Sequence, residues 1–239
     1  MSESQTPIVV LVHGAWHGAW CFAALQAELD ARGIASLAVD LPGHGTSLEP
    51  FTDLLGDAAH VTHVLATIEQ PVVLVGHSYG GSVITQAAAA ATNVRHLVYL
   101  TAFVPDVGES TVGLMQAMPP AQVELSNAMV IGGDGFSTID PERAHAAFYG
   151  MCNPAATPAN VARLCPQPFV TFTQPLTAAA WSTLPSTYVR CTEDAAIHIT
   201  HQDYMSARCT NVTTLATDHS PFASMPTETA DIIEHICLS

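Results

Sequence analysis

The stretch Val72-Val73-Leu74-Val75-Gly76-His77-Ser78-Tyr79-Gly80-Gly81-Ser82-Val83-Ile84 reads as a buried strand passing into a helix through a serine flanked by glycines. A continuous apolar run suits a strand covered on both faces, and Ser82 to Ala91 continues in helical character. Gly76-His77-Ser78-Tyr79-Gly80 is a G-x-S-x-G sequence in the strand-turn-helix context that this motif requires. Small residues two before and two after the serine let the neighbouring backbone pass closely, so the turn can hold Ser78 strained with its hydroxyl at the helix N-terminus. An ordinary glycine-rich turn is the plainer alternative.

Outward from this turn, short β-branched runs alternate with helical stretches. The strands are predicted at Ile8 to Val12, Ile34 to Val39, Val72 to Val75, His96 to Leu100, Thr187 to Arg190 and Val212 to Leu215. Helices are predicted at Ala19 to Ala31, Asp57 to Ile68, Gly80 to Ala91, Ile197 to Ala207 and Thr227 to Ile236. The alternation indicates an α/β fold with a doubly wound, mostly parallel sheet of about six strands. Between Pro105 and Pro185 strands are absent and prolines crowd in. A segment of that length is too long for a plain loop. It predicts a helical cap over 106–185 inserted into a core made of 1–105 and 186–239. Some apolar residues of this segment should line a pocket, and Leu114, Met118 and Phe148, with Trp16, are the candidates for substrate contact.

Composition narrows the function. Six basic and 21 acidic residues in 239 give a formal charge of −15, and the six are all arginines. No basic stripe exists to neutralise phosphates or anionic lipid, which argues against nucleic-acid and membrane partners. With 49% hydrophobic and 11% charged residues the chain builds a large core. Met1 to Pro7 lacks the basic start and apolar run of a secretion leader, and no apolar run is long enough to span a bilayer, so a cytoplasmic protein is expected. The six cysteines are scattered without a C-x-x-C pair and read as reduced, packed thiols. The sequence leaves open whether the chain acts alone or as a homodimer.

A serine hydroxyl is a weak nucleophile that needs a base within reach, and that base needs an orienting acid. In enzymes built round this serine turn the partners follow in the chain order serine, acid, histidine. Asp218-His219-Ser220-Pro221 follows the last strand, which makes His219 the base. His77 is expected to brace the turn. Cys191-Thr192-Glu193-Asp194 follows the penultimate strand, and Asp194 is the favoured acid, with Glu193, Asp203 and Asp106 as the other candidates. Val12-His13-Gly14-Ala15-Trp16-His17-Gly18 ends the first strand at the same sheet edge, so the amides of Ala15 and Tyr79 are the candidate oxyanion donors. His-Gly merely turning the chain is compatible with the same residues. His60 with His63, and His198 with His201, have helical spacing but no third ligand, and read as solvated faces. No metal and no cofactor are expected, and Asp40-Leu41-Pro42-Gly43-His44-Gly45 reads as a structural turn.

These motifs, together with Tyr99 to Pro105, Tyr188 to Asp194 and Leu164-Cys165-Pro166-Gln167-Pro168, resemble the small α/β-hydrolase family of plant methylesterases, hydroxynitrile lyases and bacterial carboxylesterases. The resemblance spans nearly the whole chain. It implies an α/β-hydrolase fold, Ser78, Asp194 and His219 as a triad, and Ala15 and Tyr79 as oxyanion donors. The lyase members that use this triad carry a threonine at the position of Gly14 and a lysine just after the triad histidine, where this chain has Ser220. Without any lysine, the resemblance implies a serine carboxylesterase acting on small hydrophobic or aromatic esters. Lyase chemistry, or a ligand-binding receptor with weak turnover, is the alternative it leaves.

Overall fold

The computed structural model describes residues 6–239. Met1 to Gln5, on which much of the reading of a leaderless start rests, lie outside the described residues. Six parallel strands form the main sheet: β1 (Ile8–Val12), β2 (Ser36–Val39), β3 (Val72–His77), β4 (Val94–Leu100), β8 (Ser186–Cys191) and β9 (Asn211–Leu215). Their order is β2-β1-β3-β4-β8-β9. All six predicted strands are present, β1 with the expected bounds and the others with ends shifted by at most two residues.

The inner strands β1, β3, β4 and β8 are buried because each face is covered, and their apolar residues alternate between two cores. Val10, Val12, Leu74 and Leu97 pack towards α2 (Leu54–Ala66) and α3 (Gly80–Ala87). Val9, Leu11, Val73 and Val75 pack the other way, towards α1 (Ala23–Ala31) and α11 (Pro226–Leu238). Such two-sided burial is why the strands carry nearly unbroken apolar runs. From β1 the chain moves to β2 on one side, then returns to β3 on the other. That reversal opens a crevice beyond the carboxyl ends of β1 and β3, the place where an open α/β sheet receives its ligand.

The segment between β4 and β8 holds the short helices α4 (Thr111–Ala117), α5 (Leu125–Ala128), α6 (Pro141–Phe148), α7 (Thr157–Val161) and α8 (Val170–Thr173). It is not purely helical. The expected absence of strands is corrected by a three-stranded antiparallel sheet of β5 (Met129–Ile131), β6 (Phe136–Ile139) and β7 (Gln167–Pro168). The physical cause is the Gly132-Gly133-Asp134-Gly135 connection, in which Gly135 takes φ +87° and the Gly132 N–H donates to the Phe136 carbonyl at 2.8 Å. This closes a hairpin between two runs too short to be read against the surrounding prolines. Two short helices that complete the core, α9 (Ile199–Ser206) and α10 (Pro221–Ser224), flank β9.

The α3 N-terminus lies against β1 through a glycine. A Cβ on Gly80 would stand 2.5 Å from the Val12 carbonyl oxygen and 2.7 Å from that of His13. Backbone cannot yield as a side chain does, so Gly80→Ala should lower stability by about 2–3 kcal/mol. The expected result is a melting temperature reduced by roughly 5–10 °C. Gly150→Ala, where no atom lies within 4 Å of the added carbon, should leave it unchanged. Equal melting curves for the two variants would contradict the packing.

Candidate active site

β3 ends at His77 and α3 begins at Gly80, so Ser78 must turn the chain within two residues. It does so at φ +52°, left-handed backbone that a side chain rarely adopts. The Ser78 carbonyl accepts from Gly81 N–H at 3.0 Å and Phe103 N–H at 3.1 Å, and its own N–H donates to Leu100 at 3.4 Å. These bonds lock the turn from α3 and from the loop after β4.

His219 lies next to this turn. The Nε2–H of His77 donates to the His219 carbonyl at 2.8 Å, and the two rings stand 4.6 Å apart. This is the bracing role expected of His77, whose buried ring is held neutral by desolvation and by the neighbouring His219. The Nδ1–H of His219 donates to Asp194 Oδ2 at 2.7 Å. Asp194 is further fixed by the N–H groups of Ala196 (2.6 Å) and Ile197 (2.8 Å) on Oδ1, and by the Thr101 hydroxyl on Oδ2. Thr101 itself sits at φ +39° at the end of β4.

The competing acids lie elsewhere. Asp106 accepts from the Val107 N–H in its own loop, Asp203 pairs with Arg190 at 2.5 Å, and Glu193 is exposed and bonds Thr192. Asp218, although adjacent to His219, turns the other way and accepts from Ser220 N–H, Met151 N–H and the Ser224 hydroxyl.

The loop after β1 is shaped by buried histidines. The Leu41 N–H donates to His13 Nε2 at 3.0 Å, so the proton sits on Nδ1, which donates to the Gly14 carbonyl at 2.8 Å. In a trans peptide the Ala15 N–H then points the opposite way. The Asp40 turn, read as structural, holds this loop: it presents Leu41 to His13, and its carboxylate accepts from the Ala19 N–H at 2.6 Å. Gly14 is required by close approach, since a Cβ there would lie 2.8 Å from Ser78 Cβ.

Ser78, Tyr79, Ala15, Trp16 and Met118 border one cavity of about 420 Å³, roofed by the segment after β4. Two predicted contacts are corrected. Leu114 is fully buried in the core while Val112 and Met115 on the same helix face the cavity, a consequence of helical phase. Phe148 does not line it either: its ring packs on His17 at 5.2 Å and His219 at 5.7 Å. Phe103, Phe169, Phe172 and His201 line the cavity and were not among the predicted contacts. The Phe169-Val170-Thr171-Phe172 spacing carried a signal for Phe169 and Phe172. His201 is a correction to the solvated-face reading: it is buried, and its Nε2–H donates to the Pro119 carbonyl at 2.7 Å. Of the other pair, His63 is exposed and His60 meets Glu49 at 3.1 Å.

Burial brings the His13 pKa down to about 3 and that of His17 to about 4, with neighbouring histidines pulling the same way. Between the ordinary value of 6.5 and these values the unfolded chain binds protons that the folded chain refuses, so stability falls as pH falls. Each histidine should contribute about 2 kcal/mol to the loss between pH 7 and pH 5. Urea unfolding at both pH values should show this, and the loss should shrink by about 2 kcal/mol in His17→Asn. An unchanged pH dependence in that variant would contradict a dry, neutral His17.

Comparison with known proteins finds similar hydrolases. Over 137 residues the chain is 42% identical to the carbendazim hydrolyzing esterase of Nocardioides sp. (strain SG-4G), a match covering 55% of each chain. The match thus spans little more than half of that relative. The fold is similar to the crystal structure of a pyrethroid hydrolase from Sphingobium faniae JZ-2, with 25% identity, TM-score 0.86 and 98% of each chain covered. It is also similar to the Arabidopsis methylesterase MES16, with 27% identity, TM-score 0.80, and 96% of this chain and 98% of that one covered. The profile of the alpha/beta hydrolase family matches residues 9–232, and the chain belongs to that family.

Proposed function

We propose that this protein is a serine carboxylesterase that hydrolyses small, uncharged hydrophobic or aromatic esters. The observation that carries the proposal is the bonded Asp194–His219 pair, tied through His77 to the turn of Ser78, which is held at φ +52° on the wall of an apolar cavity. Ser78 Oγ attacks the ester carbonyl while His219 takes its proton. Asp194 keeps the imidazole proton on Nδ1, so Nε2 is the accepting atom, and its charge stabilises the imidazolium. Among the described residues the N–H groups of Ala15 and Tyr79 donate to no protein acceptor, which leaves both for the oxyanion. His219 then returns the proton to the departing alcohol. Water repeats the cycle on the acyl-enzyme and releases the acid. No cofactor enters this sequence.

Among the described residues no Asp, Glu, Lys or Arg lines the cavity, so it offers a charged substrate no counter-ion, and a neutral ester is the fitting occupant. The names of the similar proteins, an esterase, a pyrethroid hydrolase and a methylesterase, support ester chemistry. Lyase chemistry finds no support at the two positions that matter. Ser220 is buried and uncharged, and Gly14 has no room for a threonine without moving Ser78. The six cysteines are all free, which suits a cytoplasmic setting.

Ser78→Ala should reduce turnover of a p-nitrophenyl ester by on the order of a million-fold, and a fluorophosphonate should label Ser78 alone. Asp194→Asn should fold and lose roughly ten-thousand-fold, with Asp106→Asn near wild type. The wild type should release cyanide from mandelonitrile no faster than buffer. Label on another residue, or cyanide release that outpaces ester hydrolysis, would sink the assignment.

A further inference from the structure

The hydrolytic sequence gives His17 no proton to carry, yet this imidazole is fully buried with both nitrogens engaged. Nδ1 lies 2.8 Å from the Ala15 carbonyl oxygen, which can only accept, so the ring proton is on Nδ1. Nε2 is therefore an acceptor. It lies 2.8 Å from the Tyr149 hydroxyl, which must donate. Burial keeps both groups uncharged, lowering the imidazole to about 4 and raising the phenol well above its usual range. The result is a directed chain, Tyr149 O–H to His17 to the Ala15 carbonyl, linking the segment after β4 to the loop after β1.

The peptide that this chain grips is the second of two. His13 sets the plane of the Gly14–Ala15 peptide, and His17 sets that of Ala15–Trp16. With the Ala15 carbonyl facing His17, the Trp16 N–H points the opposite way, where Gln167 Oε1 lies 3.4 Å off. Between two fixed planes the backbone at Ala15 is determined. Trp16, next along the chain, sits at φ +62° with its indole on the cavity wall and its Nε1–H on the Ser137 hydroxyl (3.1 Å) and carbonyl (3.2 Å). A left-handed tryptophan costs about 1–2 kcal/mol, so without the His17 bond the Ala15–Trp16 peptide would relax by rotating. With the indole anchored on Ser137, part of that rotation would pass through the Ala15 Cα into the Gly14–Ala15 peptide, strain the His13 bond and tilt the Ala15 N–H off the reacting oxygen.

We propose that His17 is a positioning residue for the oxyanion hole, through which Tyr149 fixes the Ala15–Trp16 peptide. The proposal rests on the serine-esterase reading. It predicts a defect in the transition state and not in substrate binding, because the Ala15 N–H meets developing charge only as the tetrahedral centre forms.

The test compares full-length His17→Leu, His17→Asn and Tyr149→Phe on a p-nitrophenyl ester and on an aryl trifluoromethyl ketone, whose adduct with Ser78 places an oxyanion in the hole. His17→Leu should lower kcat by roughly 30-fold or more with KM within twofold, and weaken the ketone by the same factor. His17→Asn, whose Nδ2–H can reach the same carbonyl, should regain most of that loss. Tyr149→Phe should lower kcat by about 3- to 10-fold. Wild-type kcat and ketone affinity in His17→Leu, or an Asn variant no better than Leu, would overturn the proposal. If His17→Leu does not fold, unchanged values in Tyr149→Phe do so. The ¹⁵N spectrum of histidine-labelled protein, with His17 assigned by the Asn variant, reads the tautomer without any turnover. A proton on Nδ1 at pH 7 is expected, and one on Nε2 refutes the chain. A wild type inert to every ester would instead defeat the functional reading while leaving the tautomer result standing.

Discussion

Left-handed backbone at Ser78 is the constraint on which the rest of the site depends. Among the described residues three other than glycine adopt positive φ, Trp16, Ser78 and Thr101, and they sit just beyond the carboxyl ends of β1, β3 and β4. Each costs about 1–3 kcal/mol, and such strain persists only where surrounding structure over-determines it. At Ser78 the surroundings are the close passage of α3 against β1 and the bonds from Gly81 and Phe103. At Thr101 they are the N–H bond to Val189 and the hydroxyl bond to Asp194. Adjacent parallel strands therefore end in three bends that turn functional groups towards one crevice. The sheet order that places β1 beside β3 makes their convergence possible.

Holding those bends in a dry interior raises a second problem. Carbonyl groups of the loop after β1 need donors, but a lysine or arginine there would put a full charge beside the reacting oxygen, at a large desolvation cost. Neutral imidazole solves this, because it offers one donor and one acceptor without charge. His13 and His17 each use Nδ1–H on a loop carbonyl and Nε2 on a donor from another element, Leu41 N–H and Tyr149 O–H. Four of the six histidines between residues 13 and 77 are thus accounted for by packing geometry, since His44 and His77 likewise bond backbone carbonyls. The abundance of histidine in this chain reflects scaffolding more than catalysis.

How much of this was legible beforehand follows from how local each determinant is. The turn at Ser78 was readable because strand, glycines and helix all lie within a dozen residues. Asp194 and His219 were readable because a parallel sheet puts every strand's following loop at one edge, so position in the chain translated into position in space. The cavity lining was not readable to the same degree. Leu114 and Met115 are adjacent in sequence, and only the phase of a seven-residue helix in the insertion decides which one faces the cavity. Phe148 was placed in the right neighbourhood but on the wrong partner, the histidine rings rather than the cavity. The β5–β6 hairpin escaped because its strands have three and four residues, below the length at which alternation can be distinguished from chance.

The distribution of charge ties the proposed chemistry to the whole molecule. The arginines are spent at the surface: Arg32 on Glu28, Asp231 and Glu234, Arg208 on Glu109, and Arg190 on Asp203. None borders the cavity, so in the proposed reaction negative charge there would be met by backbone N–H groups and by His219 once it has gained a proton. That arrangement favours a transition state whose charge sits on one carbonyl oxygen, within reach of the Ala15 and Tyr79 amides. It disfavours any step that expels a free anion, because no fixed cation receives it. The same asymmetry acts on the product. Ester hydrolysis converts a neutral substrate into a carboxylate, and in a protein of formal charge −15 that anion finds an apolar cavity without a counter-ion. In the proposed reaction binding would favour the ester and release the acid, because the net charge of the chain and the uncharged lining of the cavity act in the same direction.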